Sequence, residues 1–178
     1  MENPTIPRRW NQNNLPDLTG KKFLITGGTS GLGLSAAREL VKANAQVVFT
    51  ARSENKAQSA LNQISAKSNS RISYLLMDLT DLSSVKAGAN QAAQKFDGAI
   101  DCLILNAGVM ATPFTKTKDG FELQMGTNHL GHFAFAGLLK GAITERIISI
   151  SSQAHRMGSF GDNSISTIKR ICLGTGKY

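Results

Sequence analysis

The sequence predicts an α/β fold in which a doubly wound parallel sheet carries helices on both faces. Apolar runs typical of strands alternate with amphipathic segments typical of helices from Lys21 onward. A glycine-rich segment at residues 26–33 separates the first of these strands from the first helix. The chain has 178 residues, of which 41% are hydrophobic and 18% charged, and this composition favours one folded domain over disorder.

Each strand and helix is predicted from the spacing of its apolar residues. Strands are expected at residues 22–26, 46–50, 71–77, 100–106 and 146–151. Helices are expected near residues 32–43, 55–65, 82–95 and 126–139. Asp81 is the predicted N-cap of the third helix, because its carboxylate can accept hydrogen bonds from the N–H groups of the first turn.

The last predicted strand has the pattern of a strand buried on both faces, with Ile147, Ile148 and Ile150 distributed over its two sides. No regular apolar spacing follows Ser152. We therefore expect a sheet that is incomplete at its C-terminal edge and exposes an apolar strand. Such an edge can pair with another chain, so a homo-oligomer or a C-terminal partner that covers it is expected.

The segment at residues 26–33 reads Thr-Gly-Gly-Thr-Ser-Gly-Leu-Gly and predicts a site for a pyrophosphate. Glycine lets the backbone reverse sharply, approach a phosphate without a Cβ and pack the next helix closely on the sheet. The free N–H groups and the positive dipole end of that helix favour an anion. The residues expected to bind the cofactor here are Gly27, Thr29, Ser30, Gly31, Leu32 and Gly33.

Arg52, just after the second predicted strand, bears on which dinucleotide binds. An acidic residue at this place would hold the ribose 2′-hydroxyl, whereas a guanidinium can hold a 2′-phosphate. NADP(H) is therefore favoured over NAD(H). The alternative is a surface arginine that opens a loop.

Two further strand ends place small or polar residues at the same edge of the sheet. Asp78 and Leu79 end the third strand, where the carboxylate could accept a hydrogen bond from the adenine amino group. An ordinary loop aspartate is the alternative. Asn106, Ala107 and Gly108 end the fourth strand, where small residues admit a ribose and the amide side chain can tie neighbouring strands together.

The domain organisation follows from these elements. Residues 20–158 are predicted to form a dinucleotide-binding, Rossmann-like domain between an irregular leader at 1–19 and an irregular tail at 159–178. Cys102 and Cys172 have no metal-ligand or disulfide spacing, which favours a reducing, cytoplasmic location and no metal site. No apolar stretch reaches membrane-spanning length, and the basic residues behind the net charge of +8 are scattered, which argues against a nucleic-acid partner.

Five motifs occur in order along the chain: the glycine-rich segment at 26–33, Asp-Leu at 78–79, Asn-Ala-Gly at 106–108, Asn-His-Leu-Gly-His-Phe at 128–133 and Ser-Ser-Gln-Ala-His at 151–155. Together they resemble the short-chain dehydrogenase/reductases, in the branch that contains retinol dehydrogenase-like and protochlorophyllide reductase-like enzymes. The resemblance covers about residues 10–158. It implies hydride transfer between a nicotinamide and a carbonyl, an alcohol or an activated double bond.

The resemblance also implies four catalytic residues: a proton-transferring tyrosine, a lysine four positions later that lowers its pKa, a serine and an asparagine. Asn128 matches the asparagine and Ser152 the serine, with a helix cap and a strand end as their alternative roles. Tyr178, 26 positions after Ser152, is the candidate tyrosine, and no lysine follows it. Lys177 cannot replace that lysine, because adjacent helical residues do not share a face. The chain is expected to be C-terminally truncated, with the tail from about residue 161 unrelated to the family pattern.

The sequence thus predicts an NADP(H)-dependent oxidoreductase of short-chain type that acts on a small carbonyl or alcohol. Turnover is expected to be weak or absent, because the Tyr-x-x-x-Lys motif is incomplete. The alternatives are a non-catalytic NADP(H)-binding module and a degenerate fragment that pairs with an intact relative.

Overall fold

A computed structural model describes residues 11–64, 71–153 and 156. Its five strands form one parallel sheet in the order β3-β2-β1-β4-β5. The strands are β1 (Lys22–Ile25), β2 (Gln46–Ala51), β3 (Ile72–Leu76), β4 (Ile100–Leu105) and β5 (Ile143–Ser149). The helices are α1 (Gly31–Lys42), α2 (Glu54–Ile64), α3 (Leu82–Lys95), α4 (Leu123–Met125) and α5 (His132–Leu139), with a π-helical stretch, Gly126–Gly131, between α4 and α5. A short 3-10 turn, Gln12–Asn14, precedes the sheet.

The apolar core lies on both faces of the sheet, as the sequence predicts. Neighbouring residues of a strand point to opposite faces, and Leu24 and Ile25 of β1 accordingly enter different buried clusters. The cluster around Leu24 includes residues of α3 and α5, among them Val85 and Phe135. The cluster around Ile25 includes residues of α1 and α2. The parallel, doubly wound fold predicted from the sequence is confirmed.

Strand β5 differs from its predicted bounds, because it starts at Ile143 and ends at Ser149. Its first residue pairs with Ile100, and the register then shifts before Arg146 pairs with Cys102. The apolar pattern does not predict a strand start at Ile143, because polar residues lie between it and Arg146. The start is determined by the pairing of β5 with β4. Among the described residues β5 is an edge strand, with Ile147 47% and Ile148 39% exposed.

Helix α3 begins where its predicted cap places it. Asp81 Oδ1 accepts hydrogen bonds from the backbone N–H groups of Ser83 at 2.9 Å and Ser84 at 3.3 Å. Lys118 Nζ lies 2.6 Å from Asp81 Oδ2, and this contact, together with the cap, holds the pKa of the carboxyl well below its usual range. The predicted N-cap is confirmed, and it also fixes the segment before α4 to the start of α3.

Candidate functional site

A cavity of about 360 Å³ opens at the carboxyl edge of the sheet, where β1, β2, β3 and β4 end. Parallel α/β sheets bind ligands at this edge. Nine of the residues predicted to bind the cofactor line it: Gly27, Thr29, Ser30, Leu32, Arg52, Leu79, Asn106, Ala107 and Gly108. Five lining residues were not predicted, namely Thr50, Ala51, Met77, Val109 and Thr127. Ala51 and Met77 directly precede the predicted residues Arg52 and Asp78, so strand direction alone could have indicated them.

The glycine-rich turn forms the wall of the cavity between β1 and α1. Gly27 has a φ of +72°, and a Cβ there would lie 2.9 Å from the Cα of Ala107. A Cβ on Gly33 would lie 2.4 Å from the carbonyl oxygen of Gly27 and 2.5 Å from Asn106 Nδ2. The turn therefore leaves no room for side chains at these two positions. Gly31, with a φ of +55°, and Gly33 shape the turn without lining the cavity.

Hydrogen bonds from β2 and β4 fix this turn in place. The N–H of Gly27 donates to Thr50 Oγ1, and the N–H of Gly28 donates to the carbonyl of Thr50, both at 3.2 Å. Asn106 Nδ2 donates to the carbonyl of Thr26 at 3.0 Å and to that of Gly27 at 3.3 Å. The prediction that the Asn106 side chain ties neighbouring strands together is confirmed.

Asp78 and Arg52 have different surroundings. Asp78 Oδ1 accepts hydrogen bonds from the N–H of Thr80 at 2.9 Å and its hydroxyl at 2.8 Å, and Asp78 does not line the cavity. This is the arrangement of an ordinary loop aspartate, the alternative to an adenine contact, and the contact with adenine stays a prediction.

Arg52 lines the cavity, and it forms no ion pair with any described residue.

Asn128 lies in the π-helical stretch and holds the loop that follows β4. Its Oδ1 accepts from the N–H of Val109, and its Nδ2 donates to the carbonyl of Val109, both at 2.8 Å. Close packing shapes the stretch, since a Cβ on Gly131 would lie 2.6 Å from the carbonyl oxygen of Leu79. The side chain of Asn128 therefore positions a cavity wall. The backbone carbonyl of Asn128 separately accepts a hydrogen bond from His132 Nδ1 at 3.0 Å.

His132 was not predicted as a site residue. Its Nε2 lies 2.8 Å from Thr26 Oγ1, and the side chain is buried. Burial lowers the pKa of the imidazole, and the nearby His129 acts in the same direction, against an opposing contribution from the Asn128 carbonyl. The signal for it in the sequence is its place as the second histidine of the motif at 128–133.

The remaining predicted catalytic residues are not brought together among the described residues. Ser152 is exposed, three positions after the end of β5. Tyr178 lies outside the described part of the chain. The structure thus describes a cavity with a glycine-rich wall and a cation at its rim, together with two of the candidate catalytic residues.

Comparison with known proteins identifies the class to which this fold and cavity belong. The sequence pattern described as short chain dehydrogenase matches residues 21–170. The chain belongs to the short-chain dehydrogenase/reductase family, as the motifs predict.

Particular relatives support this assignment. Retinol dehydrogenase 12 of Bos taurus is 38% identical over 162 residues, which are 88% of this chain and 51% of that protein. A crystal structure of a protein from Mycobacterium paratuberculosis superposes with a TM-score of 0.82 and 36% identity, covering 95% of this chain and 57% of that one. The crystal structure of a blue fluorescent protein from a metagenomic library, in complex with NADPH, has a TM-score of 0.67 and 30% identity, covering 80% of this chain and 60% of that one.

The chain spans about half the length of the curated relatives it matches. Within the described ranges, no helix is both long and apolar enough to cross a membrane.

Proposed function

We propose that this chain binds NADP(H) as the cofactor-binding portion of a short-chain oxidoreductase. The observation that carries the proposal is the cavity at the carboxyl edge of the sheet, in which the crowded turn around Gly27 and the start of α1 lie at one side and Arg52 lies at the rim. Such a turn suits a pyrophosphate, because backbone N–H groups approach it with no Cβ between. The solved relative in complex with NADPH supports the same cofactor.

Arg52 gives the proposed preference for NADP(H) over NAD(H). The guanidinium forms no ion pair with a described residue, so a 2′-phosphate would meet a charge that is not already neutralised. The bound nicotinamide would supply or accept the hydride. This chain's part is to bind the dinucleotide at the sheet edge and to hold the loop after β4 through Asn128.

A titration of the purified chain with NADPH and NADH tests this proposal. We expect NADPH to bind more tightly, and Arg52→Gln to raise the Kd for NADPH roughly 10- to 100-fold while leaving the Kd for NADH unchanged. Lys140→Gln removes a charge from an exposed position away from the cavity and serves as the matched control. Equal loss of both cofactors in Arg52→Gln, or no binding to the unmutated chain, contradicts the proposal.

We propose that this polypeptide by itself transfers hydride weakly or not at all. A free phenol with a pKa of about 10 needs a nearby cation to exchange its proton at neutral pH, and the described residues that line the cavity include neither a tyrosine nor a lysine. NADPH oxidation followed by absorbance with a panel of aldehydes, ketones and retinoids measures this. Turnover equal to that of an intact family member would show that the proton is supplied in another way.

The second candidate function is that of a non-catalytic NADP(H)-binding module that pairs with another copy or with a separate C-terminal partner. The exposed Ile147, Ile148 and Ile150 at the edge of the sheet favour it, because an apolar edge strand recruits a further chain. Cofactor binding without turnover supports this candidate. A degenerate product would show neither bound cofactor nor a cooperative thermal transition. The cytoplasmic location stays a prediction from the cysteine content.

A further inference from the structure

The buried imidazole of His132 lies outside the cofactor contacts proposed above. The residue is 6% exposed and is the first of α5, directly after the π-helical stretch that carries Asn128. Both of its ring nitrogens have partners, which lie on different parts of the fold: Thr26 at the end of β1 and the backbone of Asn128. A buried ring with two partners has a defined donor and acceptor pattern, and this pattern can be deduced.

The partners of Thr26 determine which nitrogen carries the proton. Thr26 Oγ1 accepts from the N–H of Asn106 at 2.9 Å and from the N–H of Ala107 at 3.0 Å. A hydroxyl has two lone pairs and one proton, so its third contact, with His132 Nε2, uses the hydroxyl proton. Nε2 is therefore the acceptor. The ring proton is on Nδ1 and is donated to the carbonyl of Asn128, which can only accept.

A protonated ring does not fit this arrangement. An N–H on Nε2 would face a hydroxyl oxygen whose lone pairs already accept from Asn106 and Ala107. One of these contacts would have to break, in a place where Thr26 is 0% exposed and water cannot replace the partner. The arrangement thus requires the neutral ring.

The same contacts reach three parts of the cavity wall. Thr26 directly precedes Gly27, its hydroxyl holds the N–H of Ala107, and Asn128 holds both backbone groups of Val109. Gly27, Ala107 and Val109 all line the cavity. One imidazole therefore links the glycine-rich turn and the end of β4 to the helix that fixes the following loop.

We propose that His132, as the neutral ring protonated on Nδ1, is a positioning residue for NADP(H): its Nε2 accepts the Thr26 hydroxyl proton and holds these three wall segments in their binding arrangement. This rests on the proposed binding of NADP(H).

Two matched pairs of variants test the contact through the Kd for NADPH. His132→Gln keeps an acceptor oxygen within reach of Thr26, whereas His132→Leu removes it. Thr26→Ser keeps the hydroxyl, whereas Thr26→Val removes it from a side chain of the same shape. We expect His132→Leu and Thr26→Val to raise the Kd roughly 5- to 100-fold, because each leaves buried polar groups unpaired. His132→Gln and Thr26→Ser are expected to recover most of the affinity.

Nitrogen-15 NMR of the imidazoles in the unmutated chain tests the tautomer without requiring any variant to fold. We expect the His132 ring at neutral pH to show an unprotonated Nε2 and a protonated Nδ1, with His129→Gln used to assign the neighbouring ring. A ring protonated on Nε2 overturns the proposal.

The two measurements separate this inference from the proposed function. If the unmutated chain binds no NADPH, the proposed function fails and the positioning role fails with it. If the unmutated chain binds NADPH and all four variants bind it equally well, NADP(H) binding stands and the positioning role is overturned.

Discussion

At the scale of single residues, burial of His132 makes stability depend on pH. Burial lowers the pKa of the folded ring below the unfolded value of about 6.5, so the unfolded chain binds the proton more readily. The stability that comes from the neutral ring is present in full above about pH 6.5. It is lost as the pH falls from that value to the folded pKa, below which both states bind the proton and the contribution changes no further.

We expect His132→Gln to flatten the dependence of the free energy of unfolding on pH below about 6.5, where one such proton contributes at most ~1.4 kcal/mol per pH unit. Urea unfolding at a series of pH values between 5 and 8 measures this. His129→Gln is the control, because it removes the neighbouring imidazole and keeps His132, whose pKa is lowered mainly by burial, and it should keep most of the slope. The same slope in His132→Gln as in the unmutated chain would show that the ring does not cause it.

The glycine-rich turn gives a second prediction at this scale. In Gly33→Ala the new Cβ meets the backbone carbonyl of Gly27, so the turn must shift, and we expect a loss of roughly 1–3 kcal/mol in the free energy of unfolding with weaker NADPH binding. Gly137→Ala in α5 is the matched control: its Cβ meets nothing within 4 Å, and a gain of up to ~1 kcal/mol is expected. Denaturant titration of both variants measures the difference. Two variants of equal stability would contradict the close approach at Gly33.

At the scale of secondary-structure elements, the start of α3 depends on its cap. Asp81→Ala leaves the N–H groups of Ser83 and Ser84 without their acceptor, and we expect a lower midpoint of thermal unfolding. Asp81→Asn keeps an acceptor oxygen and should lower the midpoint less. Lys118→Met removes the ion pair and keeps the cap, so it separates the two contributions. Equal midpoints for Asp81→Ala and Asp81→Asn would assign the effect to the ion pair with Lys118.

At the scale of the whole molecule, the exposed edge at β5 predicts self-association of the purified chain. Ile147 is 47% exposed on β5, which is an edge strand among the described residues, and a charge at such a position opposes strand pairing. We expect Ile147→Lys to lower the mass measured by light scattering at high protein concentration. Phe114→Lys places the same charge on an exposed loop residue and should leave the mass unchanged. A monomer at every concentration in the unmutated chain would argue against an interface at this edge.

The sequence by itself determined the features that depend on local chemistry. Alternating strand and helix patterns predicted the parallel sheet with two covered faces, and a polar cap residue placed the start of α3 at Asp81. The turn at residues 26–33 could also be predicted, because only glycine has the backbone freedom and small size that Gly27 and Gly33 require. These features depend on residues that are close together in the sequence, so the sequence alone is enough to predict them.

Only the tertiary structure decided the features that depend on distant partners. The start of β5 follows from its ladder with β4, in which Ile143 pairs with Ile100. The bond between Thr26 and His132 joins residues 106 positions apart. No local pattern specifies such a contact, because it forms only when the packing of helix on sheet brings two buried polar groups together and each must then find a partner.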